Sequence, residues 1–163
     1  MVSFDGAANG WYSLQFKALQ HSPSGQSVTY KIIKPDNSIL TSGTIGTTAV
    51  PSIHLPKLPL TGTYALQLSP GSSTFNTNVR LEVNAILAVG GPAVATTQDY
   101  AGQTTRFIFD ATANQRIAIA ALAVAFSPSG NASFLSVYKP DGSSLGFQAC
   151  KGSKYEHTAG NCD

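Results

Sequence analysis

Apolar and polar residues alternate along several stretches of the chain. In residues 11–18 every second side chain is apolar: Tyr12, Leu14, Phe16 and Ala18. Residues 63–68 and 79–83 have the same period of two, with Tyr64, Leu66 and Leu68 on one side of the first stretch and Val79, Leu81 and Val83 on one side of the second. Because successive side chains of a strand point to opposite faces, the pattern predicts β-strands with one face buried.

Turn-forming residues separate these stretches. After residues 28–33, for example, comes Lys-Pro-Asp-Asn at 34–37, in which proline presets φ and asparagine tolerates a positive φ. The longest apolar run, residues 117–126, predicts a further buried strand, and no stretch has the period of an amphipathic helix. Short strands with frequent turns predict an all-β chain folded as an antiparallel sandwich or jelly roll.

The chain also repeats itself at a shift of 105 residues, which superimposes residues 4–40 on residues 109–145 without a gap. The matching segments include Ser-Pro-Ser-Gly at 22–25 and 127–130 and Lys-Pro-Asp at 34–36 and 139–141. A constant offset over this length indicates an internal duplication. We therefore predict tandem β-sandwich modules, the first at residues 1–84 and the second at residues 85–163.

The two copies begin and end at different points of the repeat. The second contains a predicted strand within residues 93–108 for which the first has no room, since it starts at Phe4. The first continues through residues 55–68, whereas the second stops at Asp163 before that segment recurs. We expect a window from a longer array, whose open edge strands are completed by a neighbouring chain or by the other copy.

Composition narrows the class of protein. Charged residues make up 11% of the 163 residues, against roughly 25% in an average domain, so solubility depends on serine, threonine, asparagine and glycine, as in secreted β-proteins. The net charge is +2, and the ten basic residues are scattered, which argues against a nucleic-acid partner. No apolar stretch approaches the ~18 residues of a membrane span. Since no signal peptide opens the chain, we expect Met1 to start a piece of a longer extracellular or cell-surface protein.

Two cysteines, Cys150 and Cys162, flank a polar segment near the end of the chain. A disulfide closing this loop is the direct interpretation and implies an oxidising compartment. Free thiols are the second interpretation. A metal site of Cys150, His157 and Cys162 is the third, although no Cys-x-x-Cys pair supports it.

Residues for catalysis are scattered. The three histidines are His21, His54 and His157, and no Gly-x-Ser-x-Gly elbow surrounds any serine. Abundant serine and aspartate leave a Ser-His-Asp triad open as a minor alternative. We predict no catalytic residue and no enzyme activity.

The carboxylates have a structural interpretation. Asp36 and Asp141 occupy equivalent turns, where an aspartate forms the turn itself. Asp5 and Asp110 match at the start of a predicted strand, where a hydrogen bond to nearby backbone is one interpretation and a shared calcium ligand is the other. No Asp-x-Asp-x-Asp cluster exists, so we predict no metal and no cofactor.

The only tryptophan, Trp11, falls on the face opposite Tyr12, Leu14 and Phe16. Three roles fit it: a contact at a module or subunit interface, a core position between two sheets, or a stacking platform for a sugar ring. We treat Trp11 as the candidate binding or interface residue.

Residues 55–66, 111–119 and 138–145 resemble the pre-peptidase C-terminal (PPC)-like β-sandwich repeats of large bacterial secreted and surface proteins, some of which also carry RHS or YD repeats. The resemblance implies a non-catalytic jelly-roll spacer or binding module. Gly10-Trp11 departs from the Gly-Gln-Arg that is usual there, which leaves the ligand open.

Together these observations predict a structural or interaction module of a bacterial surface adhesin, stalk or filament, with β-strand exchange as one mode of assembly. Its partners would be other protein modules, copies of itself or glycans. A carbohydrate-binding module accessory to a secreted enzyme is the alternative, and a hydrolase is the third.

Overall fold

A computed structural model describes residues 1–46, 51–122, 124–128 and 131–151. Strands are the only extended regular structure in these ranges, and all but one of their pairings are antiparallel, which confirms the all-β prediction. No helix in the described ranges is long and apolar enough to cross a membrane. The chain divides into two compact units, Met1–Thr112 (unit 1) and Ala113–Asp163 (unit 2).

Unit 1 holds two antiparallel sheets. Its strands in the described ranges are β1 (Val2–Gly6), β2 (Tyr12–Ser22), β3 (Val28–Ile33), β4 (Ile39–Ile45), β5 (Ser52–His54), β6 (Gly62–Ser69), β7 (Thr74–Val83), β8 (Ala85–Ile86) and β9 (Phe107–Ile108). One sheet has the order β1-β6-β3-β4 and the other β5-β2-β7. The short strands β8 and β9 pair in parallel.

The core of unit 1 is built from inward side chains of both sheets and from two leucines of the segment between β5 and β6. It contains Tyr12, Leu14, Phe16, Ile32, Ile45, Ile53, Leu55, Leu58, Tyr64 and Leu66. Strands β6 and β7 follow the predicted alternation except at the end of β7, where Val83 is 75% exposed. Close packing requires a glycine at position 6, since a Cβ there would lie 2.4 Å from Leu58 Cδ1.

Strand β2 departs from the predicted alternation in two ways. Its middle is buried on both faces, because Ser13 and Gln15 are as inaccessible as Phe16. Its register with β7 shifts between Lys17 and Gln20, where Ala18 has a φ of 55°. The prediction that Ala18 faces the core is therefore wrong. Ala18 is exposed, and the extra residue turns Leu19 toward the core instead.

Unit 2 contains a hairpin of β10 (Ala132–Tyr138) and β11 (Ser144–Lys151). Its register equals that of the β3–β4 hairpin at the 105-residue shift, and the irregularity after Val137 falls where the one after Ile32 falls. The turns agree as well. Asp36 Oδ1 accepts the backbone N–H of Ser38 at 2.9 Å, and Asp141 Oδ1 accepts that of Ser143 at 2.8 Å. Turn formation thus explains both aspartates, as predicted.

The rest of unit 2 differs from the prediction. Among described residues 113–128, only a single bridge residue at Val124 has strand character, and Leu122 is 68% exposed. The strand predicted over residues 117–126 is therefore wrong. Its counterpart β2 is held by neighbours on both sides, β5 and β7, whereas the described part of unit 2 supplies no equivalent pair. Strand backbone without partners hydrogen-bonds to water instead.

Residues 85–112 belong to unit 1 in the structure, while the sequence repeat places its boundary after residue 84. The pairing of β8 with β9 and the hydrogen bonds described below join these residues to the β5-β2-β7 sheet. Completion of edge strands by a neighbouring chain stays a prediction.

Replacing Tyr64 with phenylalanine tests the hydrogen bonds between its hydroxyl group and the backbone of Leu60. The buried Tyr64 hydroxyl donates to Leu60 O at 2.8 Å and accepts Leu60 N–H at 3.3 Å. We expect Tyr64→Phe to lower the free energy of unfolding by about 1–3 kcal/mol, because both backbone groups lose a partner. Urea denaturation measures this loss. The same change at Tyr138, which is 61% exposed, is the control and should have no effect; equal losses in the two variants would contradict the assignment.

Candidate functional site

The outer face of the β5-β2-β7 sheet carries a row of polar side chains. Ser13 lies opposite His54 on β5 and Glu82 on β7, and Gln15 lies opposite Arg80 on β7. These positions alternate with the core residues of β2, so the sheet separates an apolar layer from a polar one. We call Ser13, Gln15, His54, Glu82 and Asn84 the polar layer.

Residues 95–108, the cover segment, lie on this polar layer. Gln15 Nε2 donates to the carbonyl of Thr104. Gln103 Nε2 donates to Glu82 Oε1 at 2.8 Å, and its Oε1 accepts the backbone N–H of Asp99 at 2.7 Å. Each buried amide therefore joins the sheet to the cover segment, which is how polar side chains are tolerated inside a folded unit.

An outer ion pair closes the edge of the cover segment. Arg80 Nη1 donates to Asp99 Oδ2 at 2.6 Å, and Arg80 Nε lies 3.6 Å from Glu82 Oε1. The carboxylate of Asp99 raises the pKa of Arg80 by hydrogen bonding and by its charge. Nearby, Lys17 Nζ lies 4.9 Å from the centre of the Tyr100 ring.

Ser13, His54 and Asn84 form a buried hydrogen-bonded chain. Ser13 Oγ lies 2.8 Å from His54 Nδ1 and donates to Asn84 Oδ1 at 2.8 Å. A hydroxyl has one proton, so His54 Nδ1–H is the donor toward Ser13. Burial, and secondarily the positive charge of Arg106, lowers the pKa of His54 below its usual 6.5.

This chain has the wrong order for a catalytic triad. In a triad the histidine accepts the serine proton and is oriented by a carboxylate, whereas here the proton of Ser13 points to an amide oxygen. Ser13 is also fully inaccessible in the middle of a sheet, so no substrate reaches its oxygen. This cluster was not predicted from the sequence. Its signal in the sequence was that the residues of β2 that alternate with the core positions, Ser13 and Gln15, are polar but uncharged.

Trp11 stands beside the polar layer and is half-buried. The guanidinium carbon of Arg106 lies 5.2 Å from the centre of the Trp11 ring, within the range of cation–π contact. Arg106 Nη1 also donates to Leu55 O at 3.1 Å, and the carbonyl of Trp11 accepts Asn84 N–H at 2.9 Å. The three roles predicted for Trp11 stay predictions.

A cleft opens between β7 and the cover segment, with a volume of about 340 Å³. Its polar lining includes Arg80, Glu82, Asn84, Thr96, Thr97, Gln103, Thr105 and Arg106. Asn84 Nδ2 is buried there and has no hydrogen-bond partner among the residues that the structure describes. Mixed donors and acceptors in a concave surface are typical of sites for polar ligands.

The remaining candidates lie elsewhere. Cys150 is buried on β11 opposite Ser133, but Cys162 and His157 fall outside the described residues, so the disulfide stays a prediction. Asp5 accepts a hydrogen bond from Thr63 Oγ1 at 2.7 Å. Within the described ranges, no three histidine, cysteine or acidic residues stand close enough together to hold a metal ion.

Comparison of the chain with family models, with curated proteins and with solved structures finds no match. The PPC-like resemblance therefore depends on the sequence motifs alone and stays an expectation.

Acidification tests the buried state of His54. Since its folded pKa lies below that of the unfolded chain, unfolding takes up a proton, so the contribution is complete above about pH 6.5 and is lost as the pH falls. We therefore expect stability against urea to fall as the pH is lowered from about 6.5 to about 5. In His54→Asn, whose amide N–H replaces the ring donor, the fall should be smaller. An unchanged pH profile in that variant would contradict the assignment.

Truncating Gln103 tests the attachment of the cover segment. Gln103→Ala should lower the free energy of unfolding by about 1–3 kcal/mol, because Glu82 and the N–H of Asp99 both lose a buried partner. Asp99→Ala removes an exposed ion pair at the same edge and should cost clearly less than Gln103→Ala. Unfolding monitored by Trp11 fluorescence compares the two, and the reverse order would show that the polar layer does not hold the segment.

Proposed function

We propose that this chain is a non-catalytic structural and interaction module of an extracellular surface protein, and that it associates with a second copy of itself through unit 2. The two hairpins with one register support an origin in duplicated modules. The low proportion of charged residues, 11%, favours an extracellular location. No described feature points to nucleic acid or to membrane insertion as a partner.

The observation that carries this proposal is an aromatic surface on the unit 2 hairpin. Phe134 is 69% exposed and Phe147 is 74% exposed, and their rings meet edge to face with centres 6.5 Å apart. The equivalent positions of the unit 1 hairpin, at the 105-residue shift, hold Thr29 and Ser42. The same positions are therefore polar in the unit 1 hairpin and aromatic in the unit 2 hairpin.

A second observation concerns hydrogen bonding. Strand β3 of unit 1 pairs with β4 on one side and β6 on the other, whereas β10 pairs only with β11 in the described part of unit 2. A two-stranded hairpin is marginally stable in water, and an open edge accepts a further strand. The hairpin therefore offers both backbone groups and an apolar face to a partner.

We assign that partner as a second copy of the chain. The cross-strand neighbours of Phe134 and Phe147 in the hairpin are Ala149 and Ser136, and neither carries a charge. An aromatic patch of this kind matches an identical patch related by a two-fold axis. Burying an exposed phenylalanine contributes roughly 1.5–3 kcal/mol, so four such rings per dimer give a substantial association energy.

Sedimentation over a concentration series tests this association. Wild-type chain should form a reversible dimer or larger assembly, and the double variant Phe134→Thr/Phe147→Ser, which takes the residues found in the other hairpin, should sediment as a monomer. Val83→Thr, which removes an apolar side chain that is 75% exposed in unit 1, is the matched control and should still associate. A wild-type chain that stays monomeric throughout would refute the proposal.

Carbohydrate binding is the second candidate function, and the polar cleft of unit 1 favours it. Three threonines (Thr96, Thr97 and Thr105) line that cleft, and their hydroxyl groups can hydrogen-bond to sugar hydroxyls. Trp11 is a poorer sugar platform than the sequence suggests, because Arg106 already lies over its ring.

A further inference from the structure

We infer that the cleft between β7 and the cover segment binds a sugar that carries a carboxylate, a uronic acid residue, with the guanidinium of Arg106 pairing with that carboxylate. The inference builds on carbohydrate binding as the second candidate function. The ligand would be recognised by the guanidinium of Arg106 and not by stacking on the ring of Trp11.

The charge of Arg106 has no acidic partner in the part of the chain that the structure describes. Arg80 pairs with Asp99 and Glu82, and Lys34 lies 3.5 Å from Asp36 Oδ2. Arg106, by contrast, donates to a backbone carbonyl at Leu55 and contacts an aromatic ring. A guanidinium has five N–H donors, so most of them are available to a ligand.

Arg106 is also partly desolvated. It is half-buried, and burial lowers its pKa. A cation held away from water and without an anion is costly, and an incoming carboxylate would compensate that cost. The planar guanidinium pairs with a carboxylate through two parallel hydrogen bonds.

The side chain is held in place before any ligand arrives. Its contacts with the ring of Trp11 and with Leu55 O fix it on two sides. Its backbone precedes Phe107, which is paired with Ala85. A preorganised donor loses little conformational freedom on binding.

The rest of the lining selects a sugar over a bare anion. Thr96, Thr97 and Thr105 offer hydroxyl groups that can hydrogen-bond to sugar hydroxyls, which a bare anion lacks. The volume of about 340 Å³ lies at the small end of ligand sites, which span roughly 300–1,000 Å³. One ring fits better than an extended chain.

Trp11 provides the readout, since it is the only tryptophan and lies against Arg106. Its fluorescence should change saturably on titration with glucuronate, and glucose, which lacks the carboxylate, should bind at least about tenfold more weakly. Arg106→Gln should weaken glucuronate by about tenfold or more, and Arg106→Lys should retain part of the affinity.

Lys31→Gln is the matched control, because it removes one positive charge from an exposed position on β3 and should leave glucuronate binding unchanged. Thermal unfolding of each variant shows whether unit 1 still folds. If Arg106→Gln fails to fold, two other measurements still test the inference. They are the ratio of glucuronate to glucose affinity in the wild-type chain and the partly retained glucuronate affinity of Arg106→Lys.

Three results would overturn the inference: no saturable response to glucuronate, equal affinity for glucose, or an unchanged glucuronate affinity in Arg106→Gln. Sedimentation of the same samples separates this outcome from the proposed self-association. That association depends on Phe134 and Phe147 of unit 2, so either proposal can fail while the other holds.

Discussion

The burial of β2 on both faces is the constraint around which unit 1 is arranged. On one side, Leu14 and Phe16 need only apolar neighbours, which both sheets provide. On the other side, Ser13 and Gln15 need hydrogen-bond partners, because a buried polar group without one costs several times a typical hydrogen bond. His54 and Asn84 supply the partners of Ser13, and Thr104 of the cover segment accepts the Nε2 hydrogen bond of Gln15. The cover segment also carries Arg106, whose contacts with Leu55 O and Trp11 lie beside the cleft next to β7.

The two hairpins show how far local sequence determines structure. The Lys-Pro-Asp turns, the hydrogen bonds of Asp36 and Asp141, and the strand registers recur because they depend only on residues close in the chain. Burial recurs only in part. Ile32 is fully buried in the core of unit 1, whereas its counterpart Val137 is only half-buried. Turn chemistry is local, but a core requires a second layer.

The same distinction explains what the sequence could predict. Alternation placed β2, β6 and β7 correctly, because inward residues such as Tyr64 and Leu66 are buried by antiparallel neighbours. It failed over residues 117–126, where the apolar composition is that of a strand but, among the described residues, only the single bridge residue Val124 is paired. It also missed the polar layer, since nothing local shows that Gln15 meets Thr104 or that Ser13 meets Asn84. Those contacts join residues about 70 to 90 positions apart, and only the folded chain brings them together.

The extra residue at Ala18 changes which side chains of β2 face the core, while the strand itself continues. Up to Phe16 the even-numbered side chains of β2 enter the core, and after Ala18 the odd-numbered Leu19 does so. The inward-facing positions of this 11-residue strand therefore change from even-numbered to odd-numbered at Ala18. We call the two alternation patterns its two frames; the residue that joins them has a left-handed backbone conformation. A continuous strand can thereby follow a curved core surface. Deleting that one residue would join the two frames into a single alternation in which Leu19 still faces the core, and it would remove the local bend of the strand.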